Sequence, residues 1–464
     1  MRSKGWIPAL LLVAGCAAVR SYDFELSGTL NAAALGDVDG AIKRLEGNNS
    51  QAQKDLLYFF ERGMLERLRY RYDESQKAWA SAQERIETSD KRVASDLLRN
   101  ASSYVISDRV RVYEPHDYEK VMLLTYMALN QLAMGRYEDA RVAIKQTHEL
   151  ESMIEQARAK ALAEVQAEAK KRGAVTSFKE LNGYPVETID NPEVNALKNG
   201  YQSALSHYLA GFVYEALGEA SLAAPGYRLA NELQPNRPAL EEALRGLDQR
   251  VRAVPDGMAD VLFIVSSGAA PALRSQQFRL PVLVNNASVL VAYSFPLMMP
   301  SLFEDMPSGL VIGGAQHVAL TPLTNIDLMA RRSLKDEMPS IMLRATVRAT
   351  TSAMLQYQAQ HNRSSDAAAA AAIAAFTATA LLQTADDRTW RSLPAQVSIA
   401  RVRLPPGVHD VTLQSAFSGE QRVRINVSGR YAVIDFRVLA RQLFVHAPGA
   451  NIGSDEKRIR EASQ

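Results

Sequence analysis

The chain has 464 residues, with 53 lysines and arginines against 51 aspartates and glutamates, and a single cysteine. Near-neutral charge leaves no electrostatic footprint for nucleic acid, and one cysteine excludes a disulfide, a cysteine zinc cluster or a redox pair. Apolar content of 47% with 22% charge is that of a soluble globular protein, and the length predicts roughly two to four domains.

Arg2 and Lys4 precede a short apolar run from Trp6 to Val13, which ends on the small residues Ala14 and Gly15 before Cys16. Basic, then apolar, then small residues read as a secretion signal, too short to span a bilayer. The ending Val13-Ala14-Gly15-Cys16 resembles the bacterial lipobox, which implies cleavage after residue 15 and acylation of Cys16. A buried structural cysteine behind an ordinary signal is the competing reading. Two or more acyl chains anchor a protein stably, at about 0.8 kcal/mol per buried CH₂. Ala17 stands where inner-membrane lipoproteins carry Asp, so the resemblance implies the periplasmic face of the outer membrane. Loss of residues 1–15 removes Arg2 and Lys4, leaving 51 basic against 51 acidic residues, and residues 16–23 become a lipidated tether.

From residue 24 to about 250 the chain carries a spaced helical signature. Its clearest copy is Gly211, Tyr214, Gly218, Ala223, Tyr227, Ala230 and Pro235, at the eighth, eleventh, fifteenth, twentieth, twenty-fourth, twenty-seventh and thirty-second places of the tetratricopeptide repeat. His207 fills the fourth place, where a tryptophan is usual. Small residues let two antiparallel helices approach, aromatic residues fill the next layer, and proline ends the second helix. Three weaker copies precede it, around Gly36 and Ala41, around Tyr72, and around Gly135, Tyr137 and Ala140. Val38 and Tyr72 are 34 residues apart, which is the repeat period; Val38 occupies an aromatic place, which leaves the first pair less well specified.

An insertion over 138–206 separates the third and fourth copies. Glu138 to Arg172 holds no Gly or Pro, which predicts one helix of roughly 50 Å. Its thin seam, Leu150, Ile154, Ala157, Ala161, Val165 and Ala169, is expected to pair antiparallel with Val194, Leu197, Tyr201, Leu205 and Tyr208. The connector from Gly173 to Pro192 is then an exposed hairpin tip, a candidate partner contact around Ala174 to Tyr184.

Pro255-Asp256-Gly257 breaks the pattern. Across 258–383, Val261–Val265 and Val289–Phe295 read as strands, and Thr321 onward reads as helix, restarted at Pro339 and ending near Gln360. Asp366 is placed to cap an alanine-rich helix over Ala367–Leu382, too alanine-rich for a membrane span. In the module 384–447, strands are expected at Val397–Val402, Val408–Leu413, Arg422–Val427 and Tyr431–Phe436, with turns at Pro405-Pro406-Gly407 and Ser428-Gly429. Four short strands at that spacing predict a small antiparallel sandwich, with Trp390 and Leu393 in its core or, for Trp390, stacked on a ligand. Leu404 to Leu413 resembles surface-layer β modules. The tail 448–464 is polar and expected to be disordered. The fold class is therefore α+β and multidomain: a superhelix like that of tetratricopeptide proteins, then a mixed region ending in the sandwich.

Several segments together resemble a family of bacterial tetratricopeptide lipoproteins without assigned activity. They are Tyr113–Leu123, Ala128-Leu129-Asn130, Gly135–Val142, Tyr208–Gly211, Gly268–Pro271, Asp387–Trp390 and Leu393-Pro394. The resemblance implies an envelope lipoprotein and brings no catalytic residue.

Reaction chemistry is not legible. His148-Glu149 begins like a zincin helix, but Ser152 replaces the second histidine, and a solvated helix histidine is the simpler reading. Ser454-x-x-Lys457 matches a penicillin-binding motif only by letter, and Gly313-Gly314 beside Gln316 and His317 reads as a strand-end turn. Asp386-Asp387 with Arg388 reads as a local ion pair. No metal or cofactor is expected. Two functions stay open: a non-enzymatic scaffold binding envelope proteins on the concave repeat face, with Tyr126, Asn130 and His207 as candidate contacts and Tyr214 as packing, or a regulator of peptidoglycan synthesis that meets a synthase or the glycan itself.

Overall fold

The computed structural model describes residues 21–51, 54–96, 108–109, 111–172, 176–181, 183–252, 257–284, 287–302, 305–361 and 384–448. Cys16 and its lipobox, Ala367–Leu382 with Asp366, and Ser454 and Lys457 lie outside the described residues.

The first half pairs helices. These are α1 (Tyr22–Ala34) with α2 (Val38–Asn48), α3 (Leu56–Leu68) with α4 (Tyr72–Asp96), and α5 (Asp117–Ala133) with α6 (Tyr137–Arg172); after a short α7 (Pro192–Ala196), α8 (Ala204–Ala216) pairs with α9 (Ala220–Leu233). All four turns have one geometry. A residue with left-handed backbone closes each first helix: Gly36 (φ 83), Tyr70 (φ 62), Gly135 (φ 74) and Gly218 (φ 81). Its N–H reaches back to Ala33, Arg67, Leu132 or Glu215, and the next N–H to Ala32, Glu66, Gln131 or Tyr214, which satisfies carbonyls that a helix end leaves open. Tyr70 adopts the conformation that glycine takes elsewhere, so the turn is imposed by the pairing rather than by the residue.

The small places do what close approach needs. Ala41, Ser75, Ala140 and Ala223, each five residues past its turn, are all 0% exposed. Seven residues before the turn stand Thr29, Gly63, Ala128 and Gly211, and nine after it Leu45, Trp79, Ile144 and Tyr227. The two sets compensate in size. A Cβ on Gly63 would lie 2.1 Å from the Trp79 ring and one on Gly211 2.6 Å from the Tyr227 ring, so the largest rings face the places without side chains. Ala230 is buried, and Pro235 is exposed just past the end of α9. Tyr214 is buried on α8. Tyr72 and Tyr137 leave the helix layer: their hydroxyls reach His446 Nδ1 at 3.1 Å and the Tyr431 carbonyl at 3.1 Å. Two short helices, α10 (Pro238–Arg245) and α11 (Leu247–Arg252), close the array.

The second half contributes β1 (Ala259–Ser267), β2 (Leu273–Val284), β3 (Ala287–Met298), β4 (Pro307–Ile312), β5 (Gln316–Ala319) and β6 (Thr321–Asn325). Helix α12 (Ile326–His361) then leads to β7 (Gln396–Leu404), β8 (Gly407–Ser415), β9 (Gly419–Val427), β10 (Tyr431–Leu439) and β11 (Gln442–His446). The predicted terminal sandwich does not form by itself. Its strands divide between a five-stranded sheet, β11-β10-β1-β7-β6, and a four-stranded sheet, β5-β4-β8-β9, so a boundary near residue 384 cuts through both. β1 lies parallel to β10 and antiparallel to β7. The five-stranded sheet is buried on both faces: Leu262, Ile264, Ile399 and Val433 join the helical core, and Val261, Phe263, Ile434 and Phe436 pack with Leu310, Val411 and Leu413 of the other sheet. β1 and β10 are accordingly buried along their whole length, apolar from Val261 to Val265 and from Ala432 to Ile434, with Asp435 and Arg437 of β10 buried as well.

Two further expectations are corrected. Helix α12 runs through Pro339 instead of restarting there. Proline removes one helical bond, but Leu334 and Met338 before it and Met342 after it are buried in the main core, and that packing holds both halves in line. The chain 176–203 is no helical mate for α6 and no exposed tip. Phe178, Tyr184 and Ile189 are buried, the Tyr184 hydroxyl donates to the Pro296 carbonyl at 3.0 Å, and Lys335 of α12 pairs with Asp190 at 2.9 Å. A Cβ on Gly200 would meet the Ser333 backbone at 2.6 Å, so this strap lies directly on α12.

The turn geometry gives a direct test. Gly218 has φ 81 with open space around its missing Cβ, so Gly218→Ala adds only backbone strain and is expected to lower unfolding free energy by about 1–2 kcal/mol. Gly47, in α2 with equal space and no positive φ, is expected to shift the other way on Gly47→Ala, by up to about 1 kcal/mol. Denaturant unfolding of the two variants checks both signs.

Candidate functional site

The inner face of the helix pairs is where a repeat superhelix would take a peptide. Here it holds a stretch of the same chain without helix or strand, 384–395, which turns at Arg391–Ser392. Such a segment taken from water must find acceptors for its N–H groups. Two buried carboxylates supply them. Glu61 of α3, 1% exposed, accepts from the amides of Arg391 (2.8 Å) and Ser392 (3.2 Å). Glu119 of α5, 0% exposed, accepts from the Trp390 amide at 2.6 Å, the Thr389 hydroxyl at 2.9 Å and the His116 amide at 2.9 Å. Burial pushes the Glu61 carboxyl up to about 7, although Ser392 and Arg391 pull against it. Between these acceptors Trp390 is fully buried, stacked on Phe60 with centroids 4.6 Å apart and edged by Trp79 and Tyr126. Trp390 and Leu393 thus belong to the core shared with the helices and not to a separate β module.

The sheet is tied to the same face by charge. Arg67 pairs with Asp435 at 2.7 Å and also donates to Asn130. Glu215 receives Arg250 at 2.7 Å, Arg401 at 2.6 Å and the Tyr227 hydroxyl at 2.6 Å, and Arg401 also holds Asp260 at 2.7 Å. The predicted partner contacts are therefore not available to a partner. Tyr126 lies against Trp79 and Trp390, Asn130 donates to Ser75 at 2.9 Å, and His207 pairs with Glu151 at 3.0 Å, all three 1% exposed or less. His148 is half-buried rather than solvated, stacked on His207 at 5.4 Å; burial, with the neighbouring imidazole, pushes its pKa down. Sequence reading missed Glu61 and Glu119. The available signal was an acid set among apolar neighbours, as in Leu56-Leu57-Tyr58-Phe59-Phe60-Glu61.

An open cleft of about 820 Å³ remains between α5, the far half of α6, the strap and α12. Tyr113, Leu162, Val165, Tyr201 and Ile341 line it, and paired charges form its floor. His116 Nδ1 meets Glu337 at 3.1 Å, and Arg158 bridges Asp117 (2.6 Å) and Asp336 (3.0 Å). Burial disfavours the charged imidazole, but Glu337 outweighs it and lifts His116 to about 10. Burial likewise opposes the Glu337 charge, and His116 and Arg158 hold that carboxyl down to about 2. Among the described residues no group of three His, Cys, Asp or Glu has a metal-binding arrangement. Gly313 and Gly314 form the β4–β5 turn at φ 60 and 74, and Arg388 pairs locally with Asp386 at 2.7 Å.

No family profile matches the chain, and no curated protein matches it. Among solved structures it is similar to a tetratricopeptide repeat protein from Parabacteroides merdae ATCC 43184, with 11% identity, 50% of this chain and 99% of that one covered, and a TM-score of 0.14. The repeat description of the helical half rests on its four turns and cross-helix pairs, not on that likeness.

Two outcomes follow. Trp390→Ala leaves a large cavity between helices and sheet and is expected to cost about 3–5 kcal/mol, read by denaturant unfolding. His116, with its pKa raised when folded, contributes stability that is complete below about 6.5, its unfolded value, and lost as pH rises through about 10. Wild type is therefore expected to lose stability relative to His116→Gln between pH 7 and 10, measured as unfolding free energy against pH.

Proposed function

We propose that the protein is a membrane-anchored, non-enzymatic scaffold lipoprotein of the bacterial envelope, held through acylated Cys16 on the periplasmic face of the outer membrane and binding protein partners in the periplasm. The Val13-Ala14-Gly15-Cys16 box supports the anchor. The observation that carries the scaffold reading is the far half of α6. From residue 155 onward that helix is largely exposed, and Leu162 (48%) presents apolar surface in the cleft. A largely exposed helix that borders an apolar cleft is a groove wall for a partner segment. With the inner face filled, this reading assigns the partner site to the ridge and its cleft and not to the concave surface.

Two measurements test the reading. Cys16→Ala is expected to abolish incorporation of a fatty-acid analogue and retention in the outer-membrane fraction; equal labelling of the variant contradicts the anchor. Leu162→Glu is expected to weaken the partner recovered with tagged wild-type protein by about 2 kcal/mol, roughly 30-fold, with an unchanged thermal midpoint. Undiminished recovery contradicts the ridge. A peptidoglycan synthase as the recovered protein favours the regulatory form of the scaffold, and an assembly component favours the general one.

A further inference from the structure

Where the five-stranded sheet meets the helices, its inner face changes from apolar to polar. Leu262 and Ile264 of β1, Val433 and Leu439 of β10 and Phe444 of β11 all belong to the helical core. Side chains alternate along a strand, so Ser266, Asp435, Arg437 and His446 fall on that same face. Register makes them neighbours: Ser266 is paired with Arg437 across β1 and β10, and Asp435 with His446 across β10 and β11. Arg67 of α3 and Tyr126 of α5 close over them. Arg67 binds Asp435 at 2.7 Å, and its guanidinium lies 5.9 Å from the centre of the Tyr126 ring. The Tyr126 hydroxyl is turned toward Ser266, outside hydrogen-bonding geometry. All six residues are 3% exposed or less.

The charges of this patch do not balance. Arg67 and Arg437 share one carboxylate, Asp435, whose Oδ2 is taken by Arg67. Arg437 is left with two backbone carbonyls, those of Val438 at 2.8 Å and Ser392 at 3.3 Å. His446 is neutral: burial, and then Arg67 and Arg437, push its pKa well below 6.5. Two cations against one anion leave a net positive charge cut off from solvent, where ions are otherwise paired.

Hydrogen bonds are incomplete at the same place. Tyr126 Oη, Ser266 Oγ, Arg437 Nε, His446 Nε2 and Asp435 Oδ1 are buried without a hydrogen-bond partner among the described residues. The first four can donate, and the carboxylate oxygen only accepts. Buried polar atoms are nearly always partnered, so orphans gathered in one patch mark a bound water or ion. Water completes the hydrogen bonds and leaves the charge. An anion answers both.

We propose that the seam between helices and sheet binds one monovalent anion of the halide class, received by Arg437 Nε together with the Ser266 and Tyr126 hydroxyls. Such an ion ties β1 and β10 to α5 from inside. It goes beyond the scaffold reading and depends on neither the membrane anchor nor a partner.

The test unfolds and refolds the full chain in sodium gluconate, which releases a trapped ion, and then follows the thermal midpoint as chloride or bromide replaces gluconate at constant ionic strength. An ion bound by the folded state alone is expected to raise the midpoint by a few degrees as halide increases. Tyr126→Phe removes one donor and is expected to reduce the rise; Arg437→Met removes the charge and is expected to abolish it. If Arg437→Met does not fold, Ser266→Ala beside Tyr126→Phe gives the same reading. In crystals grown with sodium bromide, an anomalous peak is expected within hydrogen-bond distance of Arg437 Nε. Equal midpoints in gluconate, chloride and bromide overturn the proposal. A full rise retained by every variant does so too, because the anion then sits elsewhere. An ordered water at Arg437 Nε with no bromide peak also overturns it, since the orphaned atoms then hold water alone.

Discussion

Two buried glutamates that receive the backbone of one irregular segment join the helices to the sheet. A chain stretch cannot be buried against helices whose own N–H and C=O groups are already paired unless side chains supply the missing acceptors. Glu61 and Glu119 do so, and each is itself costly to bury. The rise of the Glu61 carboxyl to about 7 shows that the cost is not fully cancelled by its hydrogen bonds. What offsets it is the Trp390 side chain carried by the same stretch, whose ring fills the space between Phe60, Trp79 and Tyr126. Once the segment is seated, β7 follows directly from it, and Arg67–Asp435 and Arg401–Glu215 tie the sheet to the same helices.

That constraint redirects function. A repeat superhelix ordinarily offers its concave face to a partner, but this one is filled by its own chain. The surfaces left open include the far half of α6 with its cleft. The cleft floor presents paired charge, His116 with Glu337 and Arg158 with Asp117 and Asp336.

Legibility followed the range of the interactions. The helix pairs were readable because the turn glycines and the small places five residues later act within one hairpin. Tyr70 shows the limit of even that rule, since it takes a left-handed turn with no residue signal. β1, β3 and β7–β10 were readable from their apolar runs, but their allocation to sheets was not. The parallel pairing of β1 with β10 joins residues such as Val261 and Ala432, and nothing local encodes it. Pro339 was misread because tertiary burial on both sides outweighs a local breaker. The strap was misread because the surfaces it lies on, Ser333 and Pro296, come more than a hundred residues later. Candidate contacts were chosen for their place in the repeat. Tyr126 is covered by the segment that Glu61 and Glu119 hold, Asn130 by Ser75 and Arg67, and His207 by Glu151 and His148 of α6, partners that the repeat pattern does not encode.

On this account the segment 384–395 is a permanent part of the helical core. Native-state hydrogen exchange tests it most directly. If the claim holds, the amides of Trp390, Arg391 and Ser392 exchange only with global unfolding, at the same free energy as the centres of α3 and α5. Exchange of those amides through a local opening well below that free energy, with α3 and α5 still protected, would show a displaceable segment and return the concave face to its role as the partner site.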